Sequence, residues 1–225
     1  MKVYHGTGAF NLPSILMHGL KPRGARAAGN WAHTIKSHSQ MVYLTDCYAV
    51  YYATAARMKD DKLLVIELEL DELDPMQLYP DEDFLEQATH FGQQHMKGSR
   101  KARTKWFVRH IKDFKDDWRI SLEHLGTIGH CGIIKPQLIK RYALIDPLCP
   151  VFWASDPTIS LINHQLKGRY YHCLMQKVFG DEMSASDLEA MVIPGDQEYL
   201  TKLPRDGIEV YERDCGLDCT LRRVS

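Results

Sequence analysis

The sequence lacks any apolar run near the ~20 residues that a membrane-spanning helix needs, and its first residues lack the basic, apolar and small-residue regions of a signal peptide. We therefore expect a cytoplasmic protein with no membrane partner. Net charge is also nearly absent, because 28 Lys and Arg residues offset 29 Asp and Glu residues to leave −1. This balance excludes a general attraction to polyanions. An apolar content of 44% with 25% charged residues excludes a disordered chain.

Cysteine is scarce, because the six residues in a chain of 225 are too few and too scattered for a disulfide framework. We expect reduced thiols, several of them buried. Cys215 and Cys219 are four positions apart, but no further Cys or His follows at zinc-finger spacing, so no metal site is predicted there. The glycines of HGTGAF lack the GxGxxG spacing, which excludes that dinucleotide-binding motif.

Charge is uneven along the chain. Nine acidic residues and no basic residue lie from Glu67 to Glu86, whereas eight basic residues and only Asp113 of the acidic type lie from Lys97 to Lys115. The basic stretch alternates with aromatic residues, a pattern that can bind phosphates and stack on bases. A solvated helix face, neutralisation of the acidic segment and recognition of a protein substrate are the alternatives. The candidate contacts to an anionic acceptor are Lys97, Arg100, Lys101, Arg103 and Lys105.

Apolar periodicity predicts interleaved strands and helices. A short strand is predicted at residues 1–4, and NLPSILMHGL is typical of a helix with Pro13 in its first turn and Gly19 at its end. A long loop, the strand MVYLT, the helix YAVYYATAARM and the strand LLVIELEL follow, the last with one apolar face and one outward acidic face. Two helices joined around Gly98 and Ser99, then the strands GTIGHCGII and KRYALID, come next. Because the alternation is not regular, this order predicts an α+β fold.

The composition changes after residue 146, where DPLCPVFWASDP contains three prolines. The segment TISLINHQLKGRYYHCLMQKVFG then predicts one amphipathic helix or a pair. We therefore predict a domain at residues 1–146 and a mostly helical C-terminal extension at residues 147–225. The residues after this helix carry no pattern that predicts chemistry.

Two short motifs can carry chemistry. The first is His5-Gly6-Thr7, which follows the first predicted strand; by itself it is equally typical of a strand-to-helix turn with a capping threonine. The second is the strand VYLTD, which runs into a helix rich in tyrosine and alanine. Taken alone, its tyrosines are typical of core aromatics. The two motifs together, in this order and at this separation, favour a functional interpretation over these structural ones.

These two motifs resemble those of the ADP-ribosyltransferase superfamily, in which a strand ends in His-Gly-Thr and a later strand-to-helix unit reads Tyr-Leu-Thr. The resemblance covers residues 1–146 and implies the split-sheet ADP-ribosyltransferase fold. It also implies mono-ADP-ribosyl transfer from NAD⁺, bound as a substrate, to a protein or nucleic acid, with release of nicotinamide and no metal. Such catalysis depends chiefly on holding the reacting groups in register.

Carried over residue by residue, the resemblance implies a role for each motif position. His5 and Thr7 would orient the ribose and the adenosine side, and the backbone of Gly6 would approach the carboxamide because glycine has no Cβ. The resemblance implies that Tyr43, and then Tyr51 or Tyr52, stack their rings on the charged nicotinamide. It implies that Thr45 is a ligand through its hydroxyl.

A third position in that family is a glutamate near the start of a later strand, where its carboxylate bonds a ribose hydroxyl and stabilises the developing cation. The corresponding strand here is GTIGHCGII, which contains no glutamate. Thr127 occupies roughly the expected position, and Glu123 is the nearest carboxylate. The catalytic set implied is therefore His5, Tyr43 and Glu123, with Thr127 as the alternative and a solvated helix residue as the other interpretation of Glu123. If Thr127 takes the place of the glutamate, the protein resembles either the mono-ADP-ribosyltransferases that lack it or an inactive module that binds NAD⁺, another nucleotide or a protein.

A different enzyme of the same fold is the other alternative. RNA phosphotransferases share the fold and use histidine and arginine to hold a phosphate. His124 and His130, with Arg119 or Arg23, could fill those roles. Histidines in the core or on the surface without such a role are the simpler interpretation.

Overall fold

The computed structural model of the chain describes residues 1–24, 37–59, 61–92, 98–154, 159–213 and 221–224. These residues form a mixed α and β structure with one antiparallel sheet. Its strands are β1 (Lys2–Gly8), β2 (Met41–Thr45), β3 (Leu63–Glu69), β4 (Leu78–Pro80), β5 (Thr127–Cys131), β6 (Ile139–Ile145), β7 (Ile208–Arg213) and β8 (Leu221–Arg223). Its helices are α1 (Leu12–His18), α2 (Ala49–Ala56), α3 (Glu82–Gly92), α4 (Arg100–His110), α5 (Trp118–Leu125), α6 (Pro150–Trp153), α7 (Leu161–Phe179), α8 (Ala185–Glu189) and α9 (Asp196–Lys202).

The strand order across the sheet is β4-β5-β2-β1-β3-β6-β7-β8. β1 pairs with β3 over its whole length, from Lys2 opposite Glu69 to Gly8 opposite Leu63. On its other side, β1 pairs with β2 at one register position, Tyr4 opposite Thr45. At the centre of the sheet, the pairing between β1 and β2 is therefore short, whereas the pairing between β1 and β3 is long.

The first strand is longer than the sequence predicts. It was expected at residues 1–4 with His5 at its tip, but β1 continues to Gly8, and His5, Gly6 and Thr7 lie opposite residues 64–66 of β3. The physical reason is that β3 offers hydrogen-bonding partners to the backbone of these residues, and buried backbone groups need such partners. The strand-to-helix turn comes after Gly8 instead.

Several predicted elements are confirmed. β2 has the predicted bounds, and α3 and α4 are two helices with Gly98 and Ser99 before the second, whose first turn Ser99 caps. The long C-terminal segment is one helix, α7, which Ser160 caps at its start and Gly180 ends in the left-handed conformation. Among the described residues, no helix combines the length and apolar composition that crossing a bilayer requires.

The acidic face of β3 was predicted to face solvent, but only Glu69 at its end is partly exposed. β3 lies between β1 and β6, and Glu67 on that face is 3% exposed. Its carboxylate accepts two hydrogen bonds from Arg141 on β6, at 2.8 and 2.6 Å. Arg141 also bonds Asp181, just after α7, with two bonds of 2.8 Å. A buried bidentate ion pair thus replaces solvent on this face, as burial of a charge requires.

The segment after residue 146 shares the sheet and the core of the first part. β7 pairs with β6 and β8 with β7, two strands that the sequence did not predict. In one apolar cluster, Tyr4 and Tyr48 pack with Tyr171 and Phe179 of α7 and with Val210 of β7. The predicted boundary between residues 146 and 147 therefore lies within one antiparallel sheet, and residues from both sides of it pack in the same apolar cluster.

Packing of α2 against β1 depends on Gly6. A Cβ at this position would lie 1.9 Å from the backbone oxygen of Ala49 and 2.8 Å from the backbone nitrogen of Ala53, both in α2. No side chain fits at these distances. The glycine thus has a structural role, in addition to the ligand contact that the resemblance implies.

We predict that Gly6→Ala lowers the free energy of unfolding by about 3 kcal/mol, the upper end of the usual cost of overpacking. The added methyl group would meet backbone, which cannot rotate away, so α2 must move off the sheet. Urea denaturation of the purified protein measures the effect. Gly129→Ala is the matched control, since its new Cβ would first meet the flexible side chain of Met41. Equal stability losses in the two variants would contradict the prediction.

Candidate functional site

A cavity of about 440 Å³ opens beside β1 and β2, between α1, α2 and the start of α3. The polar residues that line it come from separate segments of the chain. They include His5, Gly6, Thr7, Asn11, Lys21, Arg23, Tyr43, Tyr52, Asp81, Glu82 and Asp83. The structure thus brings together both sequence motifs and adds a run of carboxylates.

His5 bridges the two central strands beyond their single paired position. Its Nδ1 lies 2.9 Å from the backbone oxygen of Tyr43. Because a carbonyl oxygen can only accept, Nδ1 carries the proton and Nε2 is an acceptor in the neutral ring. Burial lowers the pKa of His5, and the bond to Tyr43 offsets this only in part. The ring is therefore neutral at physiological pH.

Tyr43 is held by a buried carboxylate. Its hydroxyl donates to Glu82, with Oε2 at 2.6 Å, and the backbone N–H of His38 donates both to the Tyr43 oxygen, at 2.6 Å, and to Glu82 Oε1, at 2.7 Å. Burial, followed by the charge of Glu82, raises the pKa of the Tyr43 hydroxyl well above its usual value. The phenol stays protonated and fixes the position of the Glu82 carboxylate.

Glu82 belongs to three consecutive carboxylates at the start of α3. Burial and the neighbouring Asp81 raise the pKa of Glu82 from 4.5 to about 7. Burial likewise raises the pKa of Asp83 to about 8 and, in direction, that of Asp81. The segment is held in place by Ser121, whose hydroxyl accepts from the Asp81 backbone at 3.0 Å, and by Asp81 itself, which accepts from the Asp83 backbone at 2.8 Å.

Tyr52 faces the same carboxylates from α2. Burial, then the charges of Asp81 and Asp83, raises the pKa of its hydroxyl well above the usual value. Tyr52, Asp81 and Asp83 all line the cavity, and this charge effect requires that they be near one another. Tyr51 contacts the Tyr52 ring, with centroids 5.7 Å apart, and does not line the cavity itself.

Basic side chains line the cavity as well. Lys21 and Arg23 are among its lining residues, and Arg23 donates to the backbone oxygen of Ser37 at 2.7 Å. Lys112 is close enough to His38 to lower its pKa, after the larger effect of burial. The cavity is therefore lined by both carboxylates and basic side chains, which suits a ligand with both a cationic and an anionic part.

The other predicted site residues lie elsewhere. Thr45 is buried, and its hydroxyl accepts from the backbone of Cys47 and Tyr48 at 3.2 and 2.9 Å, so it holds the turn into α2. Glu123 is on the exposed face of α5, outside the cavity. Thr127 is 1% exposed at the start of β5, where its hydroxyl lowers the pKa of Asp81 against the larger effect of burial.

The residues of α4 that were predicted to contact an acceptor differ in their exposure and pairing. Lys101 and Lys105 are exposed, whereas Arg103 pairs with Glu86 at 2.7 Å. Lys97 and the side chain of Arg100 lie outside the described residues. Of the residues considered for phosphate chemistry, only Arg23 lines the cavity; His130 is buried in β5, and Arg119 and His124 are exposed on α5.

The carboxylates of residues 81–83 were missed as site residues. The sequence signal was available: three consecutive acids stand directly before Phe84 and Leu85, which are buried at 6% and 2% exposure. An acidic run at a helix start is usually solvated, and favourable there because of the helix dipole. Only the fold reveals that β5 and α5 cover this one.

We predict that Glu82→Gln changes how stability depends on pH. In the wild type the folded state keeps the Glu82 proton up to about pH 7, whereas the unfolded chain loses it near its ordinary pKa of 4.5. Stability must therefore fall as the pH rises between these values, by at most about 1.4 kcal/mol per pH unit. Glutamine has no proton to lose, so the stability of the variant does not fall in this way. Relative to the wild type, the variant therefore becomes more stable as the pH rises.

Urea denaturation between pH 4.5 and 8 measures this difference, with Glu189→Gln, an exposed glutamate on α8, as the matched control. The control should follow the wild type throughout. Parallel curves for Glu82→Gln and the wild type would show that Glu82 has an ordinary pKa.

The chain matches no protein-family model and no curated protein. One solved structure that is similar to it carries the name EcPltA, with a TM-score of 0.35 and 11% identity over 64% of this chain and 75% of that one. A similarity at this TM-score carries no argument about fold or function, which therefore depend on the cavity and the sequence motifs.

Proposed function

We propose that the protein transfers ADP-ribose from NAD⁺ to a macromolecular acceptor, on the split-sheet ADP-ribosyltransferase fold that its first two motifs resemble. One observation carries the proposal: His5 and Tyr43, predicted from separate motifs, line one cavity together with the buried carboxylate of Glu82. The single paired position between β1 and β2 also supports a sheet divided at that point. The volume of about 440 Å³ lies within the range of small-molecule pockets.

In this proposal, Glu82 stabilises the developing cation, the role that the sequence motifs implied for Glu123 or Thr127. A carboxylate can stabilise an oxocarbenium-like ribose only if it reaches the bound substrate, and Glu82 lines the cavity whereas Glu123 is on the exposed surface of α5. Tyr43 holds this carboxylate through its hydroxyl and offers its ring to the nicotinamide. His5 accepts a hydrogen bond from a ribose hydroxyl through Nε2. Lys21 and Arg23 offset the negative charge of the diphosphate.

The reaction then balances as follows. The bond between the ribose C1′ and the pyridinium nitrogen breaks, and its electron pair leaves with neutral nicotinamide. A nucleophile on the acceptor forms the new bond to C1′ and gives its proton to the Glu82 carboxylate. Positioning by the cavity supplies most of the rate, since it holds both reacting parts in register.

The acceptor is a protein or a nucleic acid. Lys101 and Lys105 are exposed on α4, where they can meet an anionic acceptor. Contacts of this kind position a partner without selecting its sequence.

We predict that the wild type releases nicotinamide from NAD⁺, and that His5→Ala and Glu82→Gln reduce the rate by about 100-fold or more, as loss of one electrostatic contact to a transition state does. Glu123→Gln should retain the wild-type rate, because that side chain is exposed away from the cavity. Chromatographic detection of nicotinamide, with fractionated protein and nucleic acid as acceptors, measures the rates.

Circular dichroism checks that each variant is folded. Loss of activity in Glu123→Gln but not in Glu82→Gln would reassign the carboxylate. Binding of NAD⁺ without release, in the presence of every acceptor fraction, would instead support a binding module, and transfer of an RNA phosphate to NAD⁺ would support the phosphotransferase.

A further prediction follows from the raised pKa of Glu82. Only the ionised carboxylate stabilises a cation or accepts a proton, so kcat/KM should rise as the pH passes through about 7. The residual rate of Glu82→Gln should not show this rise. A wild-type profile that is flat between pH 5.5 and 8.5 would exclude Glu82 as the group that titrates.

A further inference from the structure

A second group of polar side chains lies outside the cavity, where the turn after β2 meets α7. Asp46 and Cys47 belong to the turn, and His172 belongs to the helix. Asp46 Oδ2 is 3.1 Å from His172 Nε2. Together with the Cys47 sulfur, the potential ligand atoms of these three residues all lie within 4.8 Å of one another. We call this group the Asp46–Cys47–His172 cluster.

The cluster is closed on the sheet side and open on the helix side. Asp46 and Cys47 are 5% and 1% exposed, whereas the His172 side chain is 36% exposed. Two of the three potential donors are therefore fixed in the interior. Solvent and small ions can reach the third, which gives the cluster a route of entry.

The Asp46 carboxylate is only partly satisfied by the protein. Oδ2 contacts His172, but Oδ1 is buried and accepts no hydrogen bond from an N–H or O–H group of the described residues. The Cys47 thiol is close enough to this carboxylate for a weak S–H···O contact. A buried carboxylate oxygen with no N–H or O–H donor is costly, and a cation held by both residues would replace the thiol proton and remove that cost.

The backbone around the cluster is held firmly. The Thr45 hydroxyl accepts from the N–H of Cys47, and the N–H of Asp46 donates to the backbone oxygen of Gly126 at 3.1 Å. Gly126 has a φ of +74°, and a Cβ there would lie 2.6 Å from Asp46 Oδ1. The third residue, His172, lies inside the 19-residue helix α7. Donors placed on such rigid elements are suited to a metal.

A nearby histidine is not part of this cluster. His164, also on α7, has its Nδ1 3.0 Å from the Tyr48 hydroxyl and is bonded by the backbone of Glu123 as well. This half-buried histidine thus has hydrogen-bonding partners of its own. The ligand set is therefore limited to three residues in this part of the described chain.

We propose that Asp46, Cys47 and His172 bind one divalent cation of the zinc type, with water in the fourth position on the exposed side of His172. Thiolate, imidazole and carboxylate are the three donors that zinc takes from proteins, and a thiolate disfavours magnesium and calcium. Bond lengths of ~2.0–2.3 Å place tetrahedral ligand atoms roughly 3.3–3.7 Å apart. In the cluster these atoms lie within 4.8 Å of one another, so binding requires them to move closer together. Binding releases the Cys47 proton to solvent.

The cation would have a structural role. Asp46 is three residues from Tyr43 along β2, about 10 Å at the usual rise of a strand. The site is thus separate from the cavity and from the proposed transfer reaction. It would join α7 to the end of β2 and stabilise the folded state by mass action.

The experiment loads chelator-treated full-length protein with Zn²⁺ or Co²⁺. We expect one equivalent by elemental analysis after dialysis, a cobalt spectrum with one thiolate charge-transfer band, and a higher Tm with metal. Asp46→Asn, Cys47→Ser and His172→Gln should each lower the affinity by more than about 100-fold, the upper end of what a change outside the ligands costs. None of these readouts depends on NAD⁺, so the outcome is independent of the proposed function.

Two control variants locate the ion. Cys173→Ser alters another buried free thiol of α7, and Cys215→Ser with Cys219→Ser removes the cysteines that lie outside the described residues. Both should keep the full equivalent. Metal that stays in Cys47→Ser, or is lost with Cys215 and Cys219, would overturn the proposal.

A measurement on the wild type alone covers the case in which a variant fails to fold. X-ray absorption of the zinc-loaded protein should show one sulfur at about 2.3 Å and the remaining donors, nitrogen or oxygen, at ~2.0–2.2 Å. Two or more sulfur ligands, or less than a tenth of an equivalent of bound metal, would leave Asp46 and His172 as an ion pair only and refute the site.

Discussion

The narrow junction between β1 and β2 determines where this protein can bind a ligand. The two strands pair at Tyr4 and Thr45, and beyond that point the ring of His5, rather than a backbone group, bonds the Tyr43 carbonyl. A side chain inserted between strands leaves room that a continued ladder would have filled. The cavity occupies this place and is lined by residues 5–7 of β1 and residues 41–43 of β2. Gly6 lets α2 pack close to β1, and Tyr52 of that helix also lines the cavity.

The carboxylates at the start of α3 make this cavity electrostatically unusual. Three acids in sequence repel one another, and burial removes the water that would screen them. The structure tolerates Glu82 because the Tyr43 hydroxyl and the His38 backbone donate to it, and because part of the charge is neutralised by bound protons. The same arrangement leaves a carboxylate that changes its charge near neutral pH. Buried groups of this kind are common at functional sites, where a ligand's charge offsets the cost of burial.

Local sequence patterns predicted much of the fold. β2, α7 and the pair of helices around Gly98 and Ser99 follow from periodicity and capping residues, which act over a few positions. Failures occurred where distant partners decide the outcome. β1 extends through His5 because β3 lies beside it, and Glu67 is buried because Arg141 comes from a strand more than seventy residues away. β7 and β8 are short and gain strand structure by pairing with β6 and with each other, although Ile208 and Val210 of β7 do alternate with a polar residue.

The residues of the candidate site were also predicted only in part from local sequence patterns. His5 and Tyr43 were found because their order and separation resemble a known pattern, and the fold places both in one cavity. Glu123 was chosen because it is near the third motif in sequence, yet on α5 it faces solvent. Glu82 is forty positions earlier and reaches the cavity because β4, directly before it, is the neighbour of β5 in the sheet. Sequence proximity to a motif is thus a weaker guide than strand adjacency, which brings a residue from another segment to the same end of the sheet.

The turn after β2 links the two regions of the molecule. Thr45 pairs with Tyr4 in the sheet and bonds the backbone of Cys47 and Tyr48, so one threonine fixes both the junction beside the cavity and the first residues of α2. α7 is held against this turn through His172 and Asp46, and the chain just after its C-terminal end is held to β6 through Asp181 and Arg141. Because these contacts join α7 to the end of β2 and to β6, a change that loosens the helix also loosens the strand that carries Tyr43. Stability in the C-terminal segment and geometry in the cavity are therefore properties of one connected core, and not of two independent units.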